Sequence, residues 1–129
     1  MLLQILMPLI ICTFIGLKPE KHNEKNFREI ILFAYADDDK SLKKQIEILN
    51  NDPKGLAERD LKIAVKIWSK DKGTTHQKFK IAKNQYAFIL IGKDGGEKYR
   101  SFSVVAKQKL YSIIDAMPMR IYEMRKSDN

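Results

Sequence analysis

The chain has 129 residues, 44% of them hydrophobic and 31% charged, a mixture that predicts one globular domain rather than a disordered or fibrous protein. Lysine and arginine outnumber aspartate and glutamate by 24 to 16, and the resulting formal net charge of +8 favours anionic partners. The lysines are scattered, without dense basic runs or interleaved aromatic residues, which argues against specific nucleic-acid binding.

The first 17 residues form a separate segment that has no charged side chain and is almost continuously apolar. A polar stretch, residues 18–26, follows directly, and this abrupt change predicts an export signal followed by a linker. A short retained anchor is the alternative, because Phe14 fits the small-x-small cleavage pattern poorly. Against an anchor, Pro8 interrupts the run, and a bilayer span needs about 20 residues. We therefore expect an exported protein, periplasmic or secreted, whose domain comprises residues 27–129.

The single cysteine, Cys12, lies inside this leading segment. Disulfides, CxxC redox motifs and cysteine-based metal sites all need cysteines that residues 18–129 lack. Ile11 stands where lipid attachment would need a small residue, so we interpret Cys12 as a small apolar side chain. The sequence thus predicts a folded part without thiol chemistry.

The first half of the domain predicts a strand, two helices and a second strand. Residues 29–36 are a continuous apolar run, typical of a strand buried on both faces. Apolar residues then recur at helical spacing from 42 to 49, and Asp52 with the proline after it can start another helical turn. Residues 61–68 alternate between apolar and partly polar side chains, which indicates an edge strand.

The next segments predict a short helix and a hairpin. Residues 74–82 can form the helix, with either of the first two threonines as its cap. Residues 86–91 are again continuously apolar and predict a second central strand. The glycine-rich residues 92–96 predict a tight turn, and the alternation over 97–102 completes a hairpin.

The C-terminal part predicts two helices. Ser103 can cap a long helix, because apolar residues at 110, 113, 114 and 117 fall on one helical face. Pro118 ends this helix, and residues 119–126 predict a short tail helix.

The predicted order is β-α-β-α-β-β-α, which restricts the topology. A helix joins the first two strands and predicts a parallel pair, whereas a tight turn joins the last two and requires an antiparallel pair. With the continuous runs placed centrally, the result is an α/β fold with a four-stranded mixed sheet, strand order 4-3-1-2, strand 3 antiparallel and helices on both faces. This arrangement is the thioredoxin-like core.

Residues 56–61, 91–101 and 114–124 resemble the peroxiredoxin-like domain of unknown function 4174, and the similarity extends over about residues 27–126. Members of that family are exported bacterial single-domain proteins, and a similar domain occurs in vertebrate extracellular matrix and sushi-repeat proteins. The resemblance implies a thioredoxin-like fold and an extracytoplasmic location. It implies no established activity.

Three consecutive acidic residues, Asp37, Asp38 and Asp39, stand where thioredoxin-like redox enzymes carry their reactive cysteine. Three carboxylates can supply oxygen ligands to a hard cation such as Ca²⁺. Acidic residues at this position can equally cap the following helix and interact with its dipole. We favour capping, because successive side chains point apart and no spaced acids complete a calcium loop.

The charged residues of the family-like segments are the candidate binding residues. They can line one face that binds carboxylate, sulfate or phosphate groups, or they can pair with each other. Internal pairing of Arg100 or Arg120 with Asp115 is favoured, because a partly buried arginine needs a carboxylate partner. The candidates are Arg59, Asp60, Lys93, Asp94, Arg100, Asp115 and Arg120.

Together these features predict a non-catalytic interaction module that needs no cofactor and binds an extracytoplasmic protein or an anionic surface through its basic face. Membrane contact is expected only through residues 1–17, if they are retained. The alternative is a metal-handling protein or a non-thiol enzyme that uses the loop of Asp37, Asp38 and Asp39. The missing cysteines argue against a thiol oxidoreductase, and the sequence leaves other enzymatic activity open.

Overall fold

The computed structural model describes residues 25–129. The predicted leader, residues 1–17, and most of the predicted linker lie outside the described residues, so their interpretation stays a prediction. Between residues 25 and 129, none of the helices combines the length and the apolar character needed to cross a bilayer.

Within the described residues, the sheet has four strands in the order β2-β1-β3-β4. β1 pairs in parallel with β2 and antiparallel with β3, and β3 pairs antiparallel with β4. This is the predicted order 4-3-1-2 counted from the other edge, so the predicted topology is confirmed. The strands are β1 (Arg28–Ala34), β2 (Leu61–Ile67), β3 (Ala87–Ile91) and β4 (Glu97–Ser101).

Helices cover both faces of this sheet, as predicted. In chain order they are α1 (Lys40–Asn50), α2 (Pro53–Glu58), α3 (Trp68–Asp71), α4 (Thr74–Lys78), α5 (Lys107–Asp115) and α6 (Pro118–Ser127). The apolar residues of α1, α2 and α5 pack on one side, which we call the first face. The segment of α3 and α4 packs on the other side, the second face, where His76 of α4 contacts Phe33 of β1.

The two central strands are buried on both faces because their side chains alternate between two cores. On β1, Ile30 and Leu32 belong to the larger core of the first face, whereas Ile31 and Phe33 belong to the smaller core of the second face. A continuous apolar run is therefore what a central strand requires. On the edge strand β2, by contrast, Val65 remains 40% exposed.

One buried amide joins α1 to the segment that precedes α5. The side chain of Gln45 is fully buried, and its Nε2 donates a hydrogen bond to the Val105 carbonyl at 2.9 Å. Its Oε1 accepts bonds from the Val105 N–H at 2.7 Å and the Tyr86 hydroxyl at 2.9 Å. Burial, and to a smaller extent the charge of Asp39, raises the pKa of Tyr86, so this hydroxyl stays a donor. Both polar atoms of the amide therefore have hydrogen-bond partners inside the core.

Two predicted helix caps are confirmed. The side chain of Asp39 accepts a hydrogen bond from the Leu42 N–H at 2.9 Å at the start of α1. The side chain of Asp52 does the same for the Gly55 N–H at 3.1 Å at the start of α2. Both caps follow from local sequence, since an aspartate at the N-cap can accept a hydrogen bond from the N–H two or three residues further on.

The predicted cap Ser103 is wrong. α5 begins only at Lys107, its N-cap is Ala106, and no side chain caps it. The N–H of Ser103 instead donates to the Ser101 hydroxyl, which donates in turn to the Ser103 carbonyl at 2.9 Å. Because Ser103 lies in this bend, four residues before α5 begins, its side chain does not cap the helix.

The predicted helix over residues 74–82 is too long, and its predicted threonine cap is also wrong. α4 ends at Lys78, and Lys80 adopts the left-handed conformation with φ of 58°, which no α-helix can continue. The N-cap is Gly73, whose N–H donates a hydrogen bond to Asp71 Oδ1 at 2.9 Å. Gly73 has φ of 74°, and a Cβ there would collide with the Trp68 ring, so this turn requires glycine.

Candidate functional site

The three consecutive aspartates lie between the end of β1 and the start of α1. Asp39 caps α1, and Asp37 forms an exposed ion pair with Lys70 at 2.9 Å. Among residues 25–129, no three histidine, cysteine, aspartate or glutamate side chains are grouped so that they could hold a metal ion. Asp37, Asp38 and Asp39 therefore do not converge on one point, and the capping interpretation of Asp39 is confirmed.

An open groove of about 480 Å³ runs beside this loop, and its lining includes Asp37, Lys66, Lys70 and Asp71. Burial alone would raise the pKa of Asp71, but hydrogen bonds from Gly73 and Thr75 outweigh it and the pKa is lowered. Asp37 is already paired with Lys70, so both carboxylates of the groove serve local structure.

Charged side chains gather at the opposite end of the sheet, where β1 begins. We call this group the lower ion-pair network, and it consists of Arg28, Arg59, Asp60, Lys93, Asp115, Arg120 and Glu123. Five of the seven candidate binding residues belong to it. The four cations are between 1% and 12% exposed, whereas their three carboxylate partners are between 24% and 47% exposed, so the cations lie beneath the surface and the carboxylates border it.

One half of the lower ion-pair network is built around Glu123 of α6. Both terminal nitrogens of Arg28 donate to its carboxylate, at 3.2 and 3.3 Å, and Lys93 Nζ donates at 2.6 Å. Lys93 also pairs with Asp60 at 2.8 Å. Burial would raise the pKa of Glu123, but Lys93 and Arg28 outweigh it, and the pKa is lowered. Glu123 thus fastens α6 to the start of β1 and to the β3–β4 hairpin.

The other half is built around Asp115 at the end of α5. Arg59 donates two bonds to it, at 3.1 and 2.9 Å, and Arg120 donates a third at 3.1 Å. These arginines lower the pKa of Asp115 against the opposing effect of burial. Arg59 also stacks on the Tyr111 ring, with its Cζ 3.7 Å from the ring centre. The predicted internal pair of Arg120 with Asp115 is confirmed.

The other predicted pair, Arg100 with Asp115, is wrong. Arg100 lies on β4, where it pairs with Glu97 at 2.6 Å and donates to the Phe79 carbonyl at 2.9 Å. Arg100 is paired with Ile89 of β3, whose side chain lies in the core of the second face, so the Arg100 side chain points to that face. It is therefore not part of the lower ion-pair network.

The candidate Asp94 occupies the hairpin turn beside the network. Its Oδ1 accepts a bond from the Gly96 N–H at 2.9 Å, and its Oδ2 pairs with Lys98 at 2.6 Å. Gly95 supplies the left-handed conformation of the turn, with φ of 81°. Asp94 thus shapes the hairpin as well as bordering the network.

Sequence reasoning missed two members of the lower ion-pair network, Arg28 and Glu123. Arg28, Ile30 and Leu32 are alternate residues of β1, so their side chains point to the same face of the sheet. This alternation would have predicted an inward-facing cation at the start of β1. No local signal marks Glu123, because its role depends on where α6 docks.

A second basic region occupies the second face of the sheet. Lys62 and Lys66 of β2 are paired with Glu29 and Phe33 of β1 and therefore point to this face. The other members come from α3, α4 and the segments around them. We call this set the lysine face, and it consists of Lys62, Lys66, Lys70, Lys72, Lys78, Lys80 and Lys83.

The lysine face contrasts with the network in its lack of acidic partners. Residues 62–83 contain seven lysines and one acidic residue, Asp71. Lys70 pairs with Asp37, and within the described part of the chain no ion pair joins the other six lysines to a carboxylate. Six of the seven lysines are exposed to solvent, and Lys66 is partly buried. Three of these exposed lysines, Lys62, Lys78 and Lys83, have their Nζ 4.0 to 6.0 Å from the centre of an aromatic ring, a contact that leaves them without a carboxylate partner.

The buried His76 beneath the lysine face has a structural role. Its ring is fully buried and packs at 5.0 Å from the Phe33 ring and 5.2 Å from the Trp68 ring. Neither ring nitrogen makes a hydrogen bond of good geometry. Burial lowers the pKa of His76 although the charge of Asp71 opposes it, so the folded protein holds the neutral ring.

Comparison with known proteins supports this fold. The family model described as domain of unknown function (DUF4174) matches residues 19–123. Thioredoxin-2, described as a component of malaria parasite protein secretion machinery, is 18% identical over 74% of this chain and 87% of its own, with a TM-score of 0.60. The reduced 2-Cys peroxiredoxin of Plasmodium vivax is 13% identical over 76% of this chain and 80% of its own, with a TM-score of 0.57.

A third solved structure, described only as a malarial protein, is 17% identical over 70% of this chain and 96% of its own, with a TM-score of 0.58. At these identities the similarity concerns the fold alone. No curated protein matches the chain significantly.

Proposed function

Given that this chain belongs to the DUF4174 family and has a thioredoxin-like fold, we propose that it is a non-catalytic binding module whose lysine face takes an anionic partner. One observation carries the proposal. Six lysines of that face have no acidic partner among the described residues, whereas every cation of the lower ion-pair network is paired.

The position of the usual thiol supports a role in binding rather than redox catalysis. Residues 25–129 contain no cysteine, and the helix N-terminus that activates a thiol in redox relatives is capped here by Asp39. The carboxylates beside it serve as a cap and as a partner of Lys70. No observation favours the alternative of a metal-handling protein or non-thiol enzyme at this loop.

The chemistry of the lysine face suits a salt-sensitive association. An exposed ammonium group without a carboxylate partner gives up no existing ion pair when an anionic surface approaches. Several such charges on one face steer the encounter and select against cationic surfaces. The apolar residues 1–17 support a partner outside the cytoplasm, either a protein or another anionic surface.

Capture from an envelope extract of the native host tests this proposal. The full chain is immobilised at low ionic strength, and the bound material is eluted with rising salt. We expect elution to be complete well below 1 M salt, because the Debye length falls from about 10 Å at 0.1 M to about 3 Å at 1 M. Binding that does not respond to salt would contradict the proposal.

Two variants with equal charge changes locate the binding surface. In the first, Lys72, Lys80 and Lys83 of the lysine face are replaced by glutamate, and we expect at least tenfold weaker capture. In the matched control, Lys43, Lys54 and Lys109 are replaced by glutamate; these residues are exposed on α1, α2 and α5, which cover the other face. The control should bind within twofold of the wild type. Equal losses in both variants would show that net charge alone drives binding and would overturn the proposal.

A further inference from the structure

The outer side of β2 is an unpaired edge of the sheet. β2 pairs with β1 over all seven of its residues without a register shift, and no strand of the described chain lies on its other side. The other edge strand, β4, has only five residues, and its pairing with β3 is shifted between Leu90 and Ile91. A long, regular edge of unpaired backbone groups is the part of a sheet where an additional strand pairs most readily. β2 is therefore the better of the two edges for accepting one.

The backbone groups of β2 face β1 and the outer edge in alternation. The Asp60 carbonyl accepts a hydrogen bond from the Arg28 N–H at 2.8 Å, and in a parallel pair this bonding continues at every second residue. The even-numbered residues of β2 thus bond to β1. The N–H and C=O groups of Ile63 and Val65 point outward, and within residues 25–129 none of these four groups has a hydrogen-bond partner. They are free to pair with an extended segment.

The side chains along this edge alternate between apolar and basic. Ile63 packs against the core of the first face, and Val65, which points to the same side, remains 40% exposed. Lys62 and Lys66 point to the second face, four residues or about 13 Å apart. Glu29, which lies opposite Lys62 on β1, already pairs with a lysine of the segment before β1, at 3.6 Å. The edge therefore presents two apolar positions between two positive charges.

Open space lies directly beside the end of this edge. The groove of about 480 Å³ includes Val65, Lys66 and Ile67 in its lining and continues to residues of α3 and α4. Its carboxylates are engaged by Lys70 and by backbone N–H groups, so they leave Lys66 without an acidic partner. A chain that pairs with β2 can continue into this groove.

The two lysines determine which strand can pair here. The antiparallel register that joins the whole of β2 to β2 of a second copy places Lys62 opposite Lys66, and like charges directly opposite each other are destabilising. An acidic residue opposite each lysine is stabilising instead. Both lysines would occupy non-hydrogen-bonded positions of an antiparallel pair, where facing side chains lie closest. The edge therefore selects an acidic strand over its own copy.

We propose that β2 takes an extended acidic segment of a partner protein as an antiparallel fifth strand. The segment places acidic residues opposite Lys62 and Lys66 and apolar residues opposite Ile63 and Val65, in the order acidic, apolar, any, apolar, acidic. Main-chain hydrogen bonds supply affinity, and the alternate side chains supply specificity. The inference rests on the proposed function, because both lysines belong to the lysine face, and it identifies the partner as a protein that binds through its backbone.

Hydrogen exchange measured by nuclear magnetic resonance on the ¹⁵N-labelled full chain tests this proposal. The probe is a peptide with capped ends and the sequence Thr-Glu-Val-Thr-Val-Glu-Thr. We expect half-saturation below about 1 mM and, at saturation, at least tenfold slower exchange of the Ile63 and Val65 N–H groups. The Ala64 N–H, which faces β1, should be unchanged. Absent binding, or binding that leaves the two outward N–H groups unprotected, would overturn the proposal. Protection that rises with protein concentration in the free chain would assign the edge to a second copy and would also overturn it.

Three altered peptides separate strand pairing from simple charge attraction. Moving both glutamates to adjacent positions at one end keeps the charge but loses the spacing, and we expect at least fivefold weaker binding. N-methylation of both valines removes the N–H groups that pair with β2 and should weaken binding at least tenfold. N-methylation of the central threonine, whose N–H faces away from β2, should leave binding within about threefold. Equal effects of the two methylations, or full binding of the rearranged peptide, would overturn the proposal.

Substitutions at Val65 test the same contact from the side of the protein. Val65→Pro removes an outward N–H but no bond to β1, and proline is tolerated at such positions of edge strands. We expect it to bind the peptide at least tenfold more weakly, with the Ala64 N–H still protected by β1. Val65→Thr keeps the N–H and the branched side chain and should bind within about threefold of the wild type. Equal binding by the two variants would contradict strand addition.

Capture from the envelope extract distinguishes failure of this inference from failure of the proposed function. Val65→Pro retains every lysine of the lysine face, and we expect it to lose capture as the glutamate variant of Lys72, Lys80 and Lys83 does. Full capture by Val65→Pro, with loss in the glutamate variant, would overturn strand addition and leave the proposed function in place. Full capture by both variants would overturn both.

Discussion

The two basic regions of this domain differ in where their charges lie and in what those charges pair with. In the lower ion-pair network, each cation lies within 3.2 Å of a carboxylate, and the cations are at most 12% exposed. On the lysine face, the one ion pair among the described residues joins Lys70 and Asp37, which are 66% and 68% exposed. Charge that is buried and paired holds the fold together, whereas exposed and unpaired charge is available to a partner.

Replacing a cation of each region should give the largest contrast. Arg28→Met removes the more deeply buried of the two cations that bind Glu123, together with both hydrogen bonds that it donates there, and we expect the free energy of unfolding to fall by about 2–3 kcal/mol. Lys62→Met on the lysine face should change it by less than about 0.5 kcal/mol. Urea unfolding at pH 7 measures both. Equal effects would remove the distinction between the two regions.

Acid should weaken the lower ion-pair network. The pKa values of Asp115 and Glu123 are lowered in the folded protein, so between their unfolded and folded values the unfolded state binds more protons. The stabilisation that these two carboxylates provide is therefore complete above about pH 5 and is lost as the pH falls. For each carboxylate, the free energy of unfolding falls by no more than about 1.4 kcal/mol per pH unit. Glu123→Gln should flatten this profile between pH 5 and 3, as measured by thermal unfolding. Lys83→Gln should leave it unchanged, and a profile unaffected by Glu123→Gln would contradict the assignment.

Double-mutant cycles compare one ion pair from each region. We expect a coupling energy of about 1–2 kcal/mol between Arg59 and Asp115, whose contact is bidentate and partly buried. The coupling between Lys70 and Asp37 should be below about 0.5 kcal/mol, because solvent screens an exposed pair. Repeating both cycles at 1 M salt sharpens the comparison, since only the exposed pair should lose nearly all of its coupling.

The smallest effect is expected at Lys80, which lies on the lysine face in a left-handed conformation with φ of 58°. Glycine adopts this conformation without steric cost, so Lys80→Gly should raise the free energy of unfolding by about 0.5 kcal/mol. Lys78→Gly, at the end of α4, is the control and should lower it. Destabilisation by Lys80→Gly would mean that this lysine contributes to the fold.

Most of the fold could be predicted from the sequence, because its strands differ in pattern. Two continuous apolar runs predicted the central strands, and alternating runs predicted the edges, which left one strand order. Caps such as Asp39 were predictable because they depend on neighbouring residues. The end of α4 and the start of α5 were not, since the conformation of Lys80 and the bend at Ser103 interrupt otherwise acceptable helical sequence.

The candidate sites were predictable only in part. The pair of Arg120 with Asp115 is close in sequence and was expected, whereas Arg28 and Glu123 are 95 residues apart and meet because α6 docks beside β1. The lysine face was not recognised because its members are scattered along residues 62–83 and come together on one side of the sheet only when α3 and α4 pack there.

Lysine acetylation followed by mass spectrometry, on the free full chain and on its complex with the captured partner, tests the central claim most directly. In the free chain, we expect the lysine face to react readily and Lys93, which is 12% exposed and bound to two carboxylates, to react slowly. In the complex, Lys72, Lys80 and Lys83 should lose most of their reactivity, while Lys43, Lys54 and Lys109 keep theirs. Protection of the latter three instead, or protection spread evenly over the chain, would contradict the lysine face as the binding surface.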